Sequence, residues 1–313
     1  MKTIIIIVGV ARSGSTLLAK AIGGHSKCFT LGEVNRFNDE INNSETQCGC
    51  AEKLSECIFW NKVLDKLKNK LNSNIEIKEG IFQIGIFNQL TKSKIHKLIS
   101  TVLFNKSYDS KIVNIEIENT YKLYNLLFKE TNSGVLIDSS KNLFRALVLA
   151  SRAKKDIQFR FIHLTRDGRG VLNSNLKSSY SVINKDGTSQ IYEGITDKKP
   201  IKIINNWLYI NIRNFMILYL FNRKKTIFIR YEDFTDNPSK YLKQIYKEVN
   251  LDYEEAVLNL GGNENHILGG NASRINAKKI RKQDEDWKKR MDKKMIKKFN
   301  NRAGLFNIIL GYK

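Results

Sequence analysis

The chain has 313 residues, 42% of them hydrophobic, and a formal net charge of +22. This length allows a large buried core, and a field of that sign favours anionic ligands. The lysines are spread along the chain, with no zinc-finger spacing and no basic stripe interleaved with aromatic residues, so we expect no nucleic-acid partner. Only two prolines occur, and no repeat or low-complexity tract is visible, so we expect a single domain over residues 1–313.

Continuous runs of β-branched and aromatic residues predict strands that are buried on both faces of a parallel sheet, at 3–8, 134–137, 158–164 and 226–231. Segments with helical periodicity separate these runs, at 15–23, 143–153, 170–176, 201–221 and 239–249. Strands and helices that alternate in this way predict an α/β fold of three layers, with a central parallel sheet between two layers of helices.

Three longer segments interrupt the alternation. Residues 38–132 are largely helical in pattern, notably at 54–71, 91–104 and 118–130, and we interpret them as an insertion that covers one face of the sheet. The polar stretch 178–199 contains glycine and predicts a mobile loop. Residues 261–283 form a long basic loop, and a helix is predicted near Trp287.

A phosphate-binding loop is predicted where the first strand meets the first helix. Gly9 and Gly14 are separated by four residues, as in the P-loop pattern G-x-x-x-x-G-K-[ST]. Such glycines allow a tight turn that presents N–H groups to an anion at the positive end of a helix. The turn also carries hydroxyl donors: Ser13, Ser15 and Thr16. Because Ser15 stands in the position of the P-loop lysine, hydrolysis of ATP or GTP is disfavoured, and Arg12 becomes the cation of this loop.

The stretch GVARSGSTLL resembles the 5′-phosphosulfate loop of sulfotransferases that use 3′-phosphoadenosine 5′-phosphosulfate (PAPS), with Ala11 where that family frequently has proline. A second stretch, FIHLTRDGRGVLNS, resembles the strand and helix with which the family grips the 3′-phosphate, through Arg166 and Ser174. The resemblance covers residues 2–33 and 134–287. It implies that the first loop binds the 5′-phosphosulfate through Arg12, Ser13, Gly14, Ser15, Thr16 and Leu17.

Three further stretches agree with this resemblance. RYEDF resembles a strand end of the family, where Tyr231 would contact the nucleotide. DSSKNLFRAL resembles the segment that brings a lysine to the sulfuryl group in tyrosylprotein and related Golgi-type enzymes, which would be Lys141. GGNASRINAKKIRKQDEDW resembles the C-terminal loop that folds over PAPS, so the basic loop 261–283 is expected to cover the donor through Asn271, Ser273 and Arg274.

The implied reaction is in-line transfer of the sulfuryl group from PAPS to a hydroxyl or amine, leaving 3′-phosphoadenosine 5′-phosphate (PAP) and requiring no metal. The catalytic residues would be Glu33 in LGEVNRF as the base, with Arg12 and Lys141 as the cations. A histidine base, as in cytosolic members, fits less well. His163 lies within a predicted strand and His25 at a predicted helix end, whereas His266 belongs to the late loop and could contact the ligand.

Two other functions remain compatible with the sequence. One is an ATP-dependent phosphotransferase related to P-loop kinases, in which Asp138 would be the candidate second-motif carboxylate. The other is a catalytically silent nucleotide-binding protein. For the enzyme, the insertion 38–132 is the expected cover of the acceptor, which could be a small molecule, a glycan or a peptide.

The cysteines and the chain start give the last expectations. Cys48, Cys50 and Cys57 have the spacing C-x-C-x6-C with no fourth ligand at zinc-ribbon distance, so we expect reduced thiols or an occasional disulfide rather than a metal site. The first apolar run is too short to span a membrane, and no signal-peptide cleavage pattern follows it. We therefore expect no stable membrane insertion and a cytoplasmic location.

Overall fold

A parallel sheet lies at the centre of the computed structural model, which describes residues 1–70, 84, 111–177, 179–183, 187–193, 199–262, 265–282 and 286–313. Its strands are β1 (Lys2–Gly9), β2 (Cys28–Gly32), β3 (Val135–Lys141), β4 (Ile157–Thr165) and β7 (Thr226–Arg230). They pair in parallel in the order β2–β3–β1–β4–β7. A separate antiparallel hairpin joins β5 (Ser179–Ile183) to β6 (Ser189–Glu193).

The helices pack around this sheet. In chain order they are α1 (Ser15–Ile22), α2 (Phe37–Ile41), α3 (Ile58–Lys70), α4 (Lys111–Glu130), α5 (Leu143–Ser151), α6 (Gly168–Leu176), α7 (Pro200–Phe221), α8 (Tyr231–Asp236), α9 (Pro238–Glu248), α10 (Ser273–Asn276), α11 (Asp286–Arg290) and α12 (Lys293–Ile309). Short 3₁₀ turns lie at Val34–Arg36, Arg223–Lys225 and Glu255–Leu258.

Alternation along β1 supplies the core on both faces of the sheet. Ile4 and Ile6 point into one apolar cluster, together with buried residues of α3, α4 and α5. Ile5 and Ile7 point into the other, together with buried residues of α1, α8 and α9. Because each fully buried isoleucine contributes about 1.5–3 kcal/mol, the run IIIIV stabilises both layers at once. The three-layer α/β fold predicted from the sequence is confirmed.

Strand β2 of the sheet and helix α12, which packs beside α7, were not predicted from the sequence. Strand β2 is short, and its sequence CFTLG has neither a long β-branched run nor a clear alternation, so only its pairing with β3 makes it a strand. Helix α12 begins in a lysine-rich stretch, and its buried residues Phe299 and Ala303 belong to the same apolar cluster as Trp207 of α7. The short helix predicted near Trp287 is present as α11.

The interrupting segments are only partly as predicted. Helices α3 and α4 confirm the predictions at 54–71 and 118–130, whereas the one at 91–104 lies outside the described residues. The expectation of a loop over 178–199 is wrong where the structure describes it, because β5 and β6 pair there as a hairpin. Polar residues on an exposed hairpin give no apolar alternation, which is why the sequence pattern reads as a loop.

The strand order places the functional residues together. The chain builds β1, β2 and β3 on one side of the sheet and then crosses β1 to place β4 on the other side. In open α/β sheets, ligands bind at the carboxyl ends of the strands at such a switch point. Among the described residues, no helix is long and apolar enough to cross a membrane.

Candidate active site

The predicted site residues lie at the carboxyl ends of the strands. The glycine loop follows β1, Glu33 follows β2, and Lys141 is the last residue of β3. Arg166 follows β4 and Tyr231 follows β7. Residues that lie more than 200 positions apart in sequence therefore meet at one edge of the sheet, because parallel strands align their carboxyl ends.

The glycine loop has the geometry of an anion cradle. Gly14 caps α1 with a left-handed backbone, φ 93°, and the ring of Tyr231 packs where a Cβ atom would otherwise stand. The Ser13 hydroxyl is buried without a hydrogen-bond partner among the described residues. The first N–H groups of a helix also have no partner within it. The loop thus concentrates donors that an anionic oxygen would satisfy.

Both candidate catalytic cations have a left-handed backbone, with φ 69° at Arg12 and 64° at Lys141. This region is uncommon for residues other than glycine and costs of order 1–2 kcal/mol. Strain of this kind concentrates at functional sites, where the surrounding structure holds it in place. At Lys141 the strain coincides with an irregularity in the β1–β3 pairing, between Ile6 and Val8.

Glu33 and Lys141 meet as an ion pair. The Lys141 ammonium donates to Glu33 Oε1, and the Lys141 and Glu33 side chains are 14% and 15% exposed. They line a cavity of about 950 Å³ together with Arg12, Gly14, Ser15, Thr16 and Asn271. The Glu33 backbone N–H donates to Leu268 O at 2.8 Å, so the C-terminal loop holds the glutamate-bearing segment in place.

A buried polar network fixes the strand end that carries Lys141. Arg145 of α5, which is 1% exposed, donates to Glu116 at 2.8 Å and to Asp138 at 2.9 Å. The Tyr124 hydroxyl also donates to Asp138, at 2.6 Å, and burial raises the pKa of this tyrosine well above its usual value. The other oxygen of Asp138 accepts from the Ser140 N–H at 2.9 Å. Asp138 is therefore fully engaged below the site and takes no part in lining the cavity.

Arg166 contacts the glycine loop from the opposite side. Its guanidinium donates to Arg12 O at 2.9 Å and lies 4.8 Å from the centroid of the Tyr231 ring. Ser174 follows on α6, half-buried and about two turns into that helix. Arg166 therefore joins the backbone of the loop to the ring that packs on Gly14.

A second cavity, of about 1090 Å³, lies on the Tyr231 side of the loop. Leu17, Tyr231 and Ser273 line it, and the C-terminal loop adds a cluster of cations: Lys278, Lys279, Arg281 and Lys282. Lys20 of α1 attaches this loop to the core by donating to Arg274 O and Ala277 O, both at 2.9 Å. Burial, and secondarily the charge of Lys278, lowers the pKa of Lys20 to about 8.

Comparison with known proteins places these motifs in a family. The model of the sulfotransferase family matches residues 5–255, which include the glycine loop, Glu33, Lys141, Arg166 and Tyr231. The chain belongs to the sulfotransferase family. No curated protein matches it.

Solved sulfotransferase structures are among the proteins similar to this chain, and the first one named here resembles it in fold. The sulfotransferase domain from the curacin biosynthetic pathway aligns over 100% of this chain and 99% of its own, at 18% identity and a TM-score of 0.53. The sulfotransferase domain from the Synechococcus PCC 7002 olefin synthase aligns over 100% and 95%, at 18% identity and a TM-score of 0.46. Sulfotransferase STF9 from Mycobacterium avium aligns over 100% and 78%, at 10% identity and a TM-score of 0.49.

The C-terminal loop of this sulfotransferase distributes its predicted residues over two roles. Asn271 lines the first cavity, where its N–H donates to Thr16 Oγ1 at 3.4 Å, and Ser273 lines the second. Arg274 is 9% exposed and donates to the carbonyls of Gly270 and Gln47, at 3.1 and 3.0 Å. In the structure Arg274 thus holds the loop together instead of pointing into either cavity.

The sequence analysis missed the far wall of the first cavity. Arg213 of α7 lies there, 4.3 Å from the centroid of the Phe144 ring and 5.4 Å from that of Tyr209. Burial lowers the pKa of Arg213 from its usual value. The only sequence signal is an arginine within an otherwise apolar helix, and that signal does not reveal which cavity the side chain faces.

Proposed function

We propose that this sulfotransferase moves a sulfuryl group from PAPS to a hydroxyl or amine of an acceptor, with Glu33 as the base. The observation that carries the proposal is the meeting of Glu33, Lys141 and Arg12 around one cavity whose floor is the glycine loop. A carboxylate beside two cations suits a reaction in which a proton is removed while negative charge develops next to it.

The residues present fit PAPS as the donor. The Ser13 hydroxyl, which has no hydrogen-bond partner among the described residues, and the left-handed backbone of Gly14 suit the binding of a phosphosulfate at the loop. The second cavity could take the nucleotide half, since Tyr231 offers an aromatic face and the lysines and Arg281 offer positive charge beside it. Arg166 and Ser174 keep the 3′-phosphate role that the family resemblance implies.

The chain's own residues would act as follows. Bound PAPS supplies a sulfuryl group on a phosphate leaving group. Glu33 accepts the proton of the acceptor through a carboxylate oxygen after parting from the Lys141 ammonium. Lys141 and Arg12 then donate to the oxygens that gain charge as the new S–O or S–N bond forms and the old S–O bond breaks. The strained backbones of both cations fix these donors before the reaction begins.

The phosphotransferase alternative is less well supported. Ser15 lacks the charge of a P-loop lysine, and Asp138 is enclosed by Arg145, Tyr124 and Ser140 below the cavity. A silent nucleotide-binding protein would have no use for the Glu33–Lys141 pair beside the loop. Transfer activity is what separates that alternative from the enzyme.

A thermal-shift comparison tests the donor. PAP should raise the melting temperature strongly, since a ligand at 100 times its Kd adds about 2.7 kcal/mol, whereas ATP with Mg²⁺ should not. Arg166→Gln should lose the PAP shift, and Lys129→Gln, which removes an exposed charge on α4, should keep it. Stabilisation by ATP with Mg²⁺ and not by PAP would refute PAPS as the donor.

The acceptor is proposed to bind against the wall formed by Arg213, Tyr209 and Phe144. An aromatic wall with one half-buried cation suits a small molecule, a glycan or a peptide that carries both an apolar and an anionic group. Incubation with labelled PAPS and a lysate, followed by identification of the labelled product, would name the acceptor class. Arg213→Gln should weaken that labelling more than it weakens PAP binding.

A further inference from the structure

Three cysteines and one histidine come together away from the catalytic cavity. Cys48, Cys50 and Cys57 lie on the segment between α2 and α3, and His266 lies on the C-terminal loop, 209 residues beyond Cys57. Their Sγ and ring nitrogen atoms all lie within 4.8 Å of one another. Cys48 and Cys57 are 0% exposed, and Cys50 and His266 are half-buried.

The distances match a tetrahedral metal site. A zinc ion bound at about 2.3 Å to sulfur and about 2.0–2.1 Å to nitrogen places two sulfur ligands about 3.8 Å apart, and sulfur about 3.6 Å from nitrogen. Here Cys57 Sγ lies 3.6 Å from Cys48 Sγ and 3.9 Å from Cys50 Sγ. His266 Nδ1 lies 3.6 Å from Cys48 Sγ and 3.4 Å from Cys57 Sγ.

A disulfide does not account for this arrangement. The sulfur atoms are far beyond the bond length of about 2.05 Å, all four cysteines of the chain are free, and one bridge would leave the third thiol and the imidazole unexplained. Three thiols around one imidazole nitrogen are the donor set of a closed structural zinc site.

The backbone around the ligands is built to hold them. The Gly49 N–H donates to Ile267 O at 3.1 Å, and a Cβ at Gly49 would overlap Asn265, so the two ligand-bearing segments approach closely. The His266 ring stacks on Phe59 at 4.5 Å, and the Trp60 indole donates to His266 O at 2.7 Å. Orientation of ligands by such surrounding contacts is typical of real metal sites.

We propose that Cys48, Cys50, Cys57 and His266 bind one zinc ion in a structural site that ties the segment before α3 to the C-terminal loop. Two residues beyond His266, Leu268 pairs with Leu31 and Glu33 through hydrogen bonds of 2.8 Å each. The ion thereby anchors the loop that positions Glu33 and Asn271. The sequence expectation of plain thiols rested on the missing fourth ligand, and the fold supplies that ligand from a distant segment. The zinc proposal does not depend on the identity of the donor or acceptor.

Metal content is the first test. The chain, purified without a polyhistidine tag, should contain about one zinc per molecule by inductively coupled plasma mass spectrometry. Replacement by Co²⁺ should give the visible bands of tetrahedral cobalt and a thiolate charge-transfer band. A folded wild-type chain that contains less than about 0.2 zinc ions per molecule and gives no tetrahedral cobalt spectrum would overturn the proposal.

Matched variants assign the ligands. Cys57→Ser and His266→Ala should lose stoichiometric zinc and the cobalt spectrum, whereas Cys28→Ser, which alters a buried cysteine outside the cluster, should keep both. Chelation of the wild-type chain should lower its melting temperature by several degrees and restoration of zinc should reverse this, with no effect of either on Cys57→Ser. If the ligand variants do not fold, the wild-type metal content and cobalt spectrum still decide. Retention of zinc by folded Cys57→Ser and His266→Ala would overturn the assignment.

Discussion

Replacement of Gly14 by alanine tests the link between the loop backbone and nucleotide binding. The backbone at residue 14 has φ 93°, and a Cβ there would come closer than 3.0 Å to the ring of Tyr231. The left-handed backbone should cost about 1–2 kcal/mol for alanine. Displacement of the ring also removes its contact with Arg166, worth about 0.5–1 kcal/mol. Gly14→Ala should therefore lower the free energy of unfolding by roughly 1.5–3 kcal/mol.

The same change should abolish PAP binding, because it moves both the anion cradle and the ring that packs on it. Urea unfolding measures the stability loss, and thermal shift with PAP measures binding. Gly134→Ala is the matched control, since no atom lies within 4 Å of its new Cβ and its φ is not in the left-handed region. The control should keep wild-type stability or gain slightly, and should keep the PAP shift. A Gly14→Ala chain with wild-type stability and a normal PAP shift would refute the reasoning.

Further outcomes are expected for substitutions at four residues. Glu33→Gln should bind PAP normally and lower the rate of sulfuryl transfer from labelled PAPS by about 10²–10⁴-fold, and an active variant would exclude Glu33 as the base. Lys141→Asn should lower the transfer rate by about 10²–10³-fold with a smaller change in PAP affinity. Asparagine is chosen because it tolerates the left-handed backbone at φ 64°. Arg12→Asn should behave likewise, and wild-type turnover in either variant would exclude that residue from catalysis. Burial lowers the pKa of His163 from 6.5 to about 4, so the unfolded chain binds a proton that the folded chain does not, and stability falls as the pH drops below 6.5. Between pH 7 and pH 5 the free energy of unfolding, measured with urea, should fall by about 2 kcal/mol more in the wild type than in His163→Leu. Equal losses in the two proteins would contradict this origin of the acid sensitivity.

The parts of the fold that were predictable are those encoded by local sequence. The buried strands β1 and β4 and the helix after the glycine loop are continuous apolar or periodic runs, and their bounds agree with the structure to within about two residues. Strand β2 and the β5–β6 hairpin were not predictable, because each depends on a pairing partner more than on its own residues. Sequence patterns do not report such partners.

The residues of the candidate site also fall into those that the sequence predicts and those whose surroundings only the fold reveals. Glu33, Lys141 and the loop residues were named from short motifs, and the structure brings them around one cavity. Arg213 and His266 were not assigned their present surroundings, because these follow from how α7 and the C-terminal loop pack. A lone arginine or histidine carries no spacing signal, so only the folded chain reveals its neighbours.

The hydrogen bond between the Glu33 N–H and Leu268 O connects the proposed base to the C-terminal loop. The loop that holds Leu268 also supplies Asn271 and Ser273 to the two cavities. A ligand in either cavity therefore contacts the same loop that holds the Glu33 segment. If PAPS is the donor, as we propose, its binding should help to align Glu33, and steady-state kinetics should then show an ordered sequence in which PAPS binds first and PAP leaves last.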